Sequence, residues 1–203
     1  MQILTSFKKT ITINFLLIGS LAIAAEPIGE IVEQKGYAGL QRDGSQTILS
    51  ASELPDVLMY DTAQTVNGRM KIQFKGTEEL DLTEHTKVWI DEVYYDPDPS
   101  KSKMAIRMAQ GTARFASGFG GKIKKANINI TTPTAQITVN GTDFTTSIDE
   151  IGRSLVILLP DKWGAPSGSI LVSNAGGQVL LDEAYQATMV STYEQSPTKP
   201  VVV

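Results

Sequence analysis

The sequence predicts an all-β domain, arranged as an irregular β-helix or solenoid-like stack or as a β-sandwich of short strands, and preceded by a signal peptide. Three observations support this prediction. Apolar and polar residues alternate through most of the chain, glycine-containing turns interrupt the alternation, and one long apolar run lies near the N-terminus. Hydrophobic residues make up 41% of the 203 residues and charged residues 20%, a composition suited to one packed domain.

The N-terminal segment has the organisation of an export signal. Lys8 and Lys9 precede an apolar run over residues 11–24, which ends in the small-residue pattern Ala22-Ile23-Ala24-Ala25. A membrane span needs about 20 apolar residues, more than this run provides. We therefore expect residues 1–24 to be a signal peptide cleaved after Ala24 or Ala25, no stable membrane span afterwards, and a periplasmic or secreted protein.

The composition excludes several kinds of chemistry. The chain has no cysteine and one histidine, so it cannot form disulfides, thiolate nucleophiles, cysteine-ligated zinc or a multi-histidine metal site. A cysteine-free exported protein fits a bacterial periplasm better than a small secreted eukaryotic module. The formal net charge of −4 gives no general attraction for nucleic acid. We expect no cofactor, no metal, no catalytic residues and no nucleic-acid partner.

Residues 25–194 are expected to form the single β domain, with residues 195–203 as a C-terminal tail. The glycine-rich segments 29–42 and 103–117 each predict two strands. Short strands with period-two alternation follow at intervals of roughly 10 to 15 residues. The alternating apolar positions are Met70, Ile72, Phe74, Leu80, Leu82, Val88, Ile90, Val93, Ile128, Ile130, Ile137, Val139, Leu155, Ile157, Leu159, Ile170, Val172, Val179 and Leu181.

Acidic residues and the single histidine are the candidates for catalysis or metal binding. His85 lies beside Glu84, but no G-x-S-x-G motif accompanies it, and a turn position explains it better. The segment 96–100 offers carboxylates for calcium without the EF-hand spacing. The adjacent carboxylate pairs are interpreted as solvated turn and edge charges, not as a glycosidase pair. These pairs are Glu78/Glu79, Asp91/Glu92, Asp96/Asp98 and Asp182/Glu183.

Two surface features are candidates for ligand binding. Trp89 and Trp163, with Tyr94 and Tyr95, are a candidate stacking surface for a glycan, although aromatic residues on strands more often pack against neighbours. The basic cluster over residues 122–125 is typical of a solvated sheet edge that discourages aggregation. Its preceding glycines lack the spacing of a phosphate-binding loop.

The segment 130–144, ITTPTAQITVNGTDF, resembles the signature of FecR-domain proteins, in which a TPTA step, an alternating strand and a GTDF turn follow one another. The opening segment GEIVEQKGYAGLQRDG, the residues Tyr60-Asp61-Thr62 with Asn67-Gly68-Arg69, and the segment MAQGTARFASG resemble other parts of the family pattern. The resemblance covers about residues 28–160. Asn140 stands where the family usually has arginine, so any ion pair of that arginine is absent.

The motif residues are interpreted as determinants of the fold. A proline cannot donate to a central strand ladder, so the TPTA step is expected to separate two strands, and Gly141 to supply a conformation that strains other residues. Asp143 is expected to accept hydrogen bonds in a turn, and Phe144 to enter the core. The structural motif residues are Thr132, Pro133, Thr134, Ala135, Gly141, Thr142, Asp143 and Phe144.

The resemblance implies a non-enzymatic extracytoplasmic β domain used for protein interaction. The best-known FecR proteins are transmembrane anti-sigma regulators of iron uptake. We expect this chain to act without the anti-sigma and receptor-contacting parts, because few residues precede or follow the domain. The expected function is an interaction or scaffold module that binds an envelope protein, with strand addition at a sheet edge as one mode. The alternatives are a carbohydrate or cell-wall binding module and an enzyme of unrecognised type.

Overall fold

A computed structural model describes residues 25–48, 54–118, 121–141 and 143–203. The predicted signal peptide and Thr142 lie outside these ranges. The all-β prediction is confirmed: fifteen strands are accompanied by a single 3₁₀ turn, Lys125–Asn127, in the described residues. Within the same residues, no helix is long and apolar enough to cross a membrane. The strands are β1 (Gly29–Arg42), β2 (Ser45–Ile48), β3 (Asp56–Val57), β4 (Thr62–Phe74), β5 (Glu78–Leu82), β6 (Lys87–Tyr94), β7 (Lys103–Ser117), β8 (Ile128–Thr131), β9 (Gln136–Asn140), β10 (Asp143–Ile148), β11 (Ser154–Leu158), β12 (Ser169–Asn174), β13 (Gly177–Leu181), β14 (Gln186–Val190) and β15 (Val201–Val202).

The strands form one hydrogen-bonded sheet that divides into two halves. The half that we call layer A contains β13, β12, β9, β8, the first part of β7, β6, the first part of β4 and the second part of β1 with β2. The half that we call layer B contains β15, β14, β11, β10, the second part of β7, β5, the second part of β4 and the first part of β1 with β3.

Three long strands belong to both layers because their pairing partners change along their length. The first part of β7 pairs with β6 and β8, and from Gly111 onward β7 pairs with β10 and β5. In the same way, β4 pairs with β6 at Thr62–Gln64 and with β5 at Met70–Gln73. β1 follows β4 along almost its whole length. These strands join the two layers along one side of the molecule.

The prediction of two strands in each of the segments 29–42 and 103–117 is therefore wrong, because each segment is one continuous strand. In the first segment, β1 absorbs the irregularity at Gly36, where a register shift interrupts its pairing with β4. Gly36 has a φ of +69°, and a Cβ atom there would overlap the carbonyl oxygen of Asn67. The glycine lets the strand bulge and continue where a turn was expected.

The core lies between the two layers and forms a single cluster of buried residues. The alternating sets of β4, β5, β6, β8 and β9 are buried as their period predicts. Side chains from both layers meet around a small interior space of about 10 Å³, among them Leu80, Ile106, Phe115, Ile130 and Phe144. Because the buried residues of both layers form one contiguous cluster, the described residues share a single hydrophobic core.

In β11 the residues that face the core are not the alternating apolar residues identified from the sequence. Val156 and Leu158 are fully buried, whereas Leu155 and Ile157 lie on the outer face and are partly exposed. Both faces of this strand are apolar, so period-two alternation alone leaves its orientation open. The pairing with β10 and β14 decides which set faces the core.

The pairing pattern favours the sandwich over the β-helix arrangement. Among the described residues the only parallel pair is β7 with β8, whereas a solenoid stacks successive coils with parallel pairing. The last residues, predicted as a C-terminal tail, lie along β14, where Thr198 accepts and donates hydrogen bonds and β15 pairs with Gln186 and Ala187.

Candidate functional site

The TPTA step forms the turn between β8 and β9. Thr132 Oγ1 accepts hydrogen bonds from the backbone N–H groups of Thr134 and Ala135, which is a typical use of a threonine hydroxyl in a turn. Ser154 of β11 donates to Thr132 Oγ1 at 2.8 Å and lies 2.7 Å from Thr134 Oγ1. All three hydroxyls are buried. The motif therefore ties a turn of layer A to a strand of layer B through satisfied polar groups.

Asp143 and Phe144 begin β10 and point in opposite directions. Asp143 accepts two hydrogen bonds from the Arg114 guanidinium, one of them 2.7 Å long from Nε. Phe144 is buried, with its ring centroid 5.7 Å from that of Phe115. Gly141, just before, has a φ of +75° and packs against the Lys125 side chain. Asp143 thus connects the GTDF turn with the segment MAQGTARFASG through an ion pair. Its role is not limited to the backbone hydrogen bonds expected in a turn.

Arg114 is also part of a row of alternating charges on the outer face of layer B. Its Nη1 lies 3.7 Å from Asp81, and Lys71 Nζ lies 3.5 Å from the same carboxylate. The hydrogen bonds that Arg114 donates to Asp143 are the main cause that raises the pKa of Arg114, and the charges of the neighbouring carboxylates add to it, so Arg114 stays charged. Positive and negative groups balance along this row. It is suited to holding strands in register, and it offers no concentrated charge for a polyanion.

The two tryptophans lie in different places. Trp89 is in β6 on the outer face of layer A, with Lys87 Nζ 5.2 Å and the Arg107 guanidinium 4.8 Å from its ring centroid. Trp163 lies in the turn between Asp161 and Ala165 and is 73% exposed, with Lys162 Nζ 4.3 Å from its ring centroid. Cationic side chains cover both rings. The candidate stacking surface is thus divided between a strand and a remote turn.

His85 lies in the exposed turn between β5 and β6, with a φ of +55°. Its backbone N–H donates to Val66 O at 2.7 Å, and its carbonyl accepts from Gln110. No carboxylate is hydrogen-bonded to its ring among the described residues. The residues that the structure describes contain no group of three acidic or histidine side chains that could hold a metal ion. Asp96 and Asp98 accept hydrogen bonds within their own loop.

One carboxylate does not lie where the sequence suggested. Glu78 was interpreted as a solvated charge, but it is 1% exposed and faces the core from the end of β5. Its Oε2 has no hydrogen-bond partner among the described residues. Burial is the main cause that raises the pKa of Glu78 above its ordinary value, opposed by hydrogen bonds from backbone N–H groups and by Lys122 and Lys125.

A concave surface lies beside Glu78, at the end of β6. It has a volume of about 580 Å³, and we call it the β6 groove. Tyr95 lies in its floor, accepts a hydrogen bond from Gly76 N–H at 3.1 Å and stays neutral, because burial raises its pKa to about 12. The groove is lined by Ala25, Glu26, Pro27, Ile28, Met59, Lys75, Val93, Tyr94, Tyr95 and Lys122.

Two polar contacts fix the walls of the β6 groove. The fully buried carboxylate of Asp61 accepts hydrogen bonds from Arg42 at 2.7 and 2.8 Å and from Leu58 N–H at 2.8 Å, which sets the turn that carries Met59. On the opposite side, Lys75 Nζ lies 2.9 Å from Glu26. The first contact uses a residue of the motif Tyr60-Asp61-Thr62, so a determinant of the fold also shapes the groove.

Sequence reasoning missed most of this groove. Tyr94, Tyr95 and Lys122 were candidates, but as parts of two unrelated surfaces. Met59, Lys75 and Val93 come from three further segments, and only the tertiary fold brings them together. Asp61 is the one residue that could have indicated this site from the sequence, because it is an acidic residue directly before a strand.

We expect the Arg114–Asp143 pair to contribute measurable stability. In a double-mutant cycle of Arg114→Ala and Asp143→Ala, followed by urea unfolding, the coupling free energy should be about 1 kcal/mol, because the pair is two-pronged but partly exposed. The coupling free energy should be smaller in about 0.5 M salt, because ions screen the attraction between charges in contact with solvent. A coupling of zero at low salt would contradict this assignment.

We expect Glu78 to make the unfolding free energy depend on pH. Because its pKa is raised in the folded state, folding binds a proton, so this stability is present below the ordinary pKa of 4.5 and is lost as pH rises through the raised value. Glu78→Gln should unfold at a higher urea concentration than the parent at about pH 7 and at a similar concentration at about pH 4. The slopes of the unfolding free energy against pH should differ by at most about 1.4 kcal/mol per pH unit. Glu79→Gln, on the opposite face of β5, is the control for the loss of one carboxylate, and an equal gain in stability for this variant at about pH 7 would contradict the assignment.

Comparison with known families identifies the domain. The family model described as "FecR protein" matches residues 60–159, which run from the turn before β4 to the end of β11. No curated protein sequence matches this chain. The matched range includes the Arg114–Asp143 pair, the TPTA turn and Asp61, whose partners Arg42 and Leu58 precede the range. The chain is a FecR-domain protein.

Proposed function

We propose that this protein is a non-enzymatic interaction or scaffold module of the bacterial envelope, which binds another envelope protein. The observation that carries the proposal is the β6 groove, where an incompletely paired strand lies beside exposed aromatic and lysine side chains. Open strand edges are common sites of peptide recognition because main-chain groups supply affinity and side-chain pockets supply specificity. The FecR domain is consistent with this role.

The other two functions have less support. A glycan-stacking surface needs exposed aromatic rings side by side, whereas Trp89 and Trp163 lie apart and each contacts a cationic side chain. An enzyme needs an acid–base pair in a cleft, whereas His85 is exposed in a turn. A binding role without cofactor, metal or nucleic acid agrees best with these arrangements.

We further propose that the chain is exported to the periplasm or secreted. The protein recovered from the periplasm or the medium should begin at Ala25 or Glu26, as measured by intact mass and N-terminal peptide sequencing, because signal peptidases cleave after small residues. Recovery of the full-length chain from the membrane fraction would contradict this proposal.

The interaction proposal predicts a protein partner in the native envelope. After mild cross-linking of cells that express the tagged protein, affinity purification should yield one protein in stoichiometric amount by mass spectrometry. The same eluate is tested for alkali-released glycans. Glycan without a co-purifying protein would overturn the proposal and favour the cell-wall binding alternative.

A further inference from the structure

We infer that the β6 groove binds an extended, acidic peptide segment of the partner, which adds as a strand to the free edge of β6. This inference rests on the proposed function and names the surface and the chemistry of the partner. The pairing of β6, the shape of the groove and the charges at its rim support it.

The edge of β6 that faces β4 is paired along only part of its length. Lys87–Trp89 pair with β4, and Ile90 exchanges backbone hydrogen bonds with Tyr60 and Asp61 at 2.8 and 3.0 Å. Beyond Ile90, Asp91–Tyr94 have no strand on this side among the described residues, although β7 pairs on the other side. At about 3.3 Å per residue this stretch offers roughly 13 Å of edge, enough for a strand of about four residues.

The gap exists because the preceding chain turns away. The chain before Tyr60 does not continue to pair with β6. Instead, the segment at Leu58 and Met59 crosses toward layer B, where β3 pairs with β1. The Arg42–Asp61 contact and the bond from Leu58 N–H to Asp61 hold this turn in place. A groove held open by buried contacts is already shaped for a ligand, so binding needs little reordering of the protein.

The walls suit the alternating side chains of an added strand. Met59 and Tyr94 are 39% and 48% exposed, and the partly exposed Pro27 and Tyr95 supply further apolar surface. Successive side chains of a strand point to opposite sides, so every second residue of the segment meets this apolar wall. The residues between them face the rim.

The rim is cationic although the whole chain carries a net charge of −4. Lys122 Nζ lies 5.9 Å from the Tyr95 ring centroid and has no ion-pair partner among the described residues. The other charged residues of the lining, Lys75 and Glu26, form an ion pair with each other, so Lys122 leaves the lining with one net positive charge. The nearby carboxylates of Asp96 and Asp98 accept hydrogen bonds from Tyr94 and Ser100. Carboxylates on the partner segment complement this rim.

The test uses three synthetic peptides and the mature protein. The probe is a fluorescein-labelled peptide of eight alternating glutamate and valine residues. In the second peptide lysine replaces glutamate, and in the third alternate backbone amides of the probe are N-methylated, so one strand edge cannot pair. Fluorescence polarisation should show binding of the probe and at least roughly tenfold weaker binding of the other two. Equal binding of the N-methylated peptide, or no binding of the probe, would overturn the inference.

Two variants locate the binding site. Lys122→Glu should weaken probe binding at least about tenfold by reversing a rim charge, and Met59→Trp should weaken it by filling the groove without a charge change. Lys162→Glu is the matched control, because Lys162, like Lys122, lies over an aromatic ring but stands in a different turn. Circular dichroism and thermal unfolding verify that each variant is folded. Equal weakening by the control would refute the assignment of the site.

The same variants separate this inference from the proposed function. If the envelope partner still co-purifies with Lys122→Glu and Met59→Trp, the protein binds a partner elsewhere and the β6 groove is not the site. If both variants lose the partner and Lys162→Glu keeps it, the inference is supported in the cell. Failure of every form, the parent included, to recover a protein overturns the proposed function itself.

Discussion

The architecture depends on three strands that belong to both layers at once. A strand with side chains on two faces can leave one set of partners and join another only where its backbone accepts a bulge or a change of register. β1 keeps β4 as one neighbour and passes from β3 to β2 across the irregularity at Gly36, while β7 changes partners at Gly111 and β4 between its pairings with β6 and β5. Because these strands run from one layer to the other, the layers share one core, and a change in the register of a shared strand affects both.

The β6 groove follows from the same arrangement. β4 begins beside Trp89, and the segment before β4 turns away from β6 toward β1, so Asp91–Tyr94 keep a free edge. Natural sheets usually cover or charge such edges because an exposed edge invites association. Here the edge lies in a concave surface with a lysine rim, an arrangement that limits which chains can add to it. The link between the fold and the proposed binding site is therefore topological.

The family motifs act as connections between distant segments. The TPTA turn reaches Ser154 of β11 through buried hydroxyls, and Asp143 reaches Arg114 of β7. The buried Asp61 holds a loop through Arg42. Thr132, Thr134 and Asp61 take part in hydrogen bonds that satisfy buried polar groups, and an unpaired polar group is costly in a protein interior. Glu78 is buried with one carboxylate oxygen unpartnered among the described residues, and so are the hydroxyls of Thr77 and Thr146.

The sequence by itself determined the all-β class, most core positions and the FecR signature, because alternation with period two and the chemistry of turns are local properties. It identified Ile72 and Ile137 as core residues but did not determine the continuity of β1 and β7, the outward face of Leu155 and Ile157, or the burial of Glu78. Only the tertiary structure decided these features and the β6 groove. Strand pairing between residues far apart in the chain chooses the face, the partner and the free edge, and a local pattern contains no information about those choices.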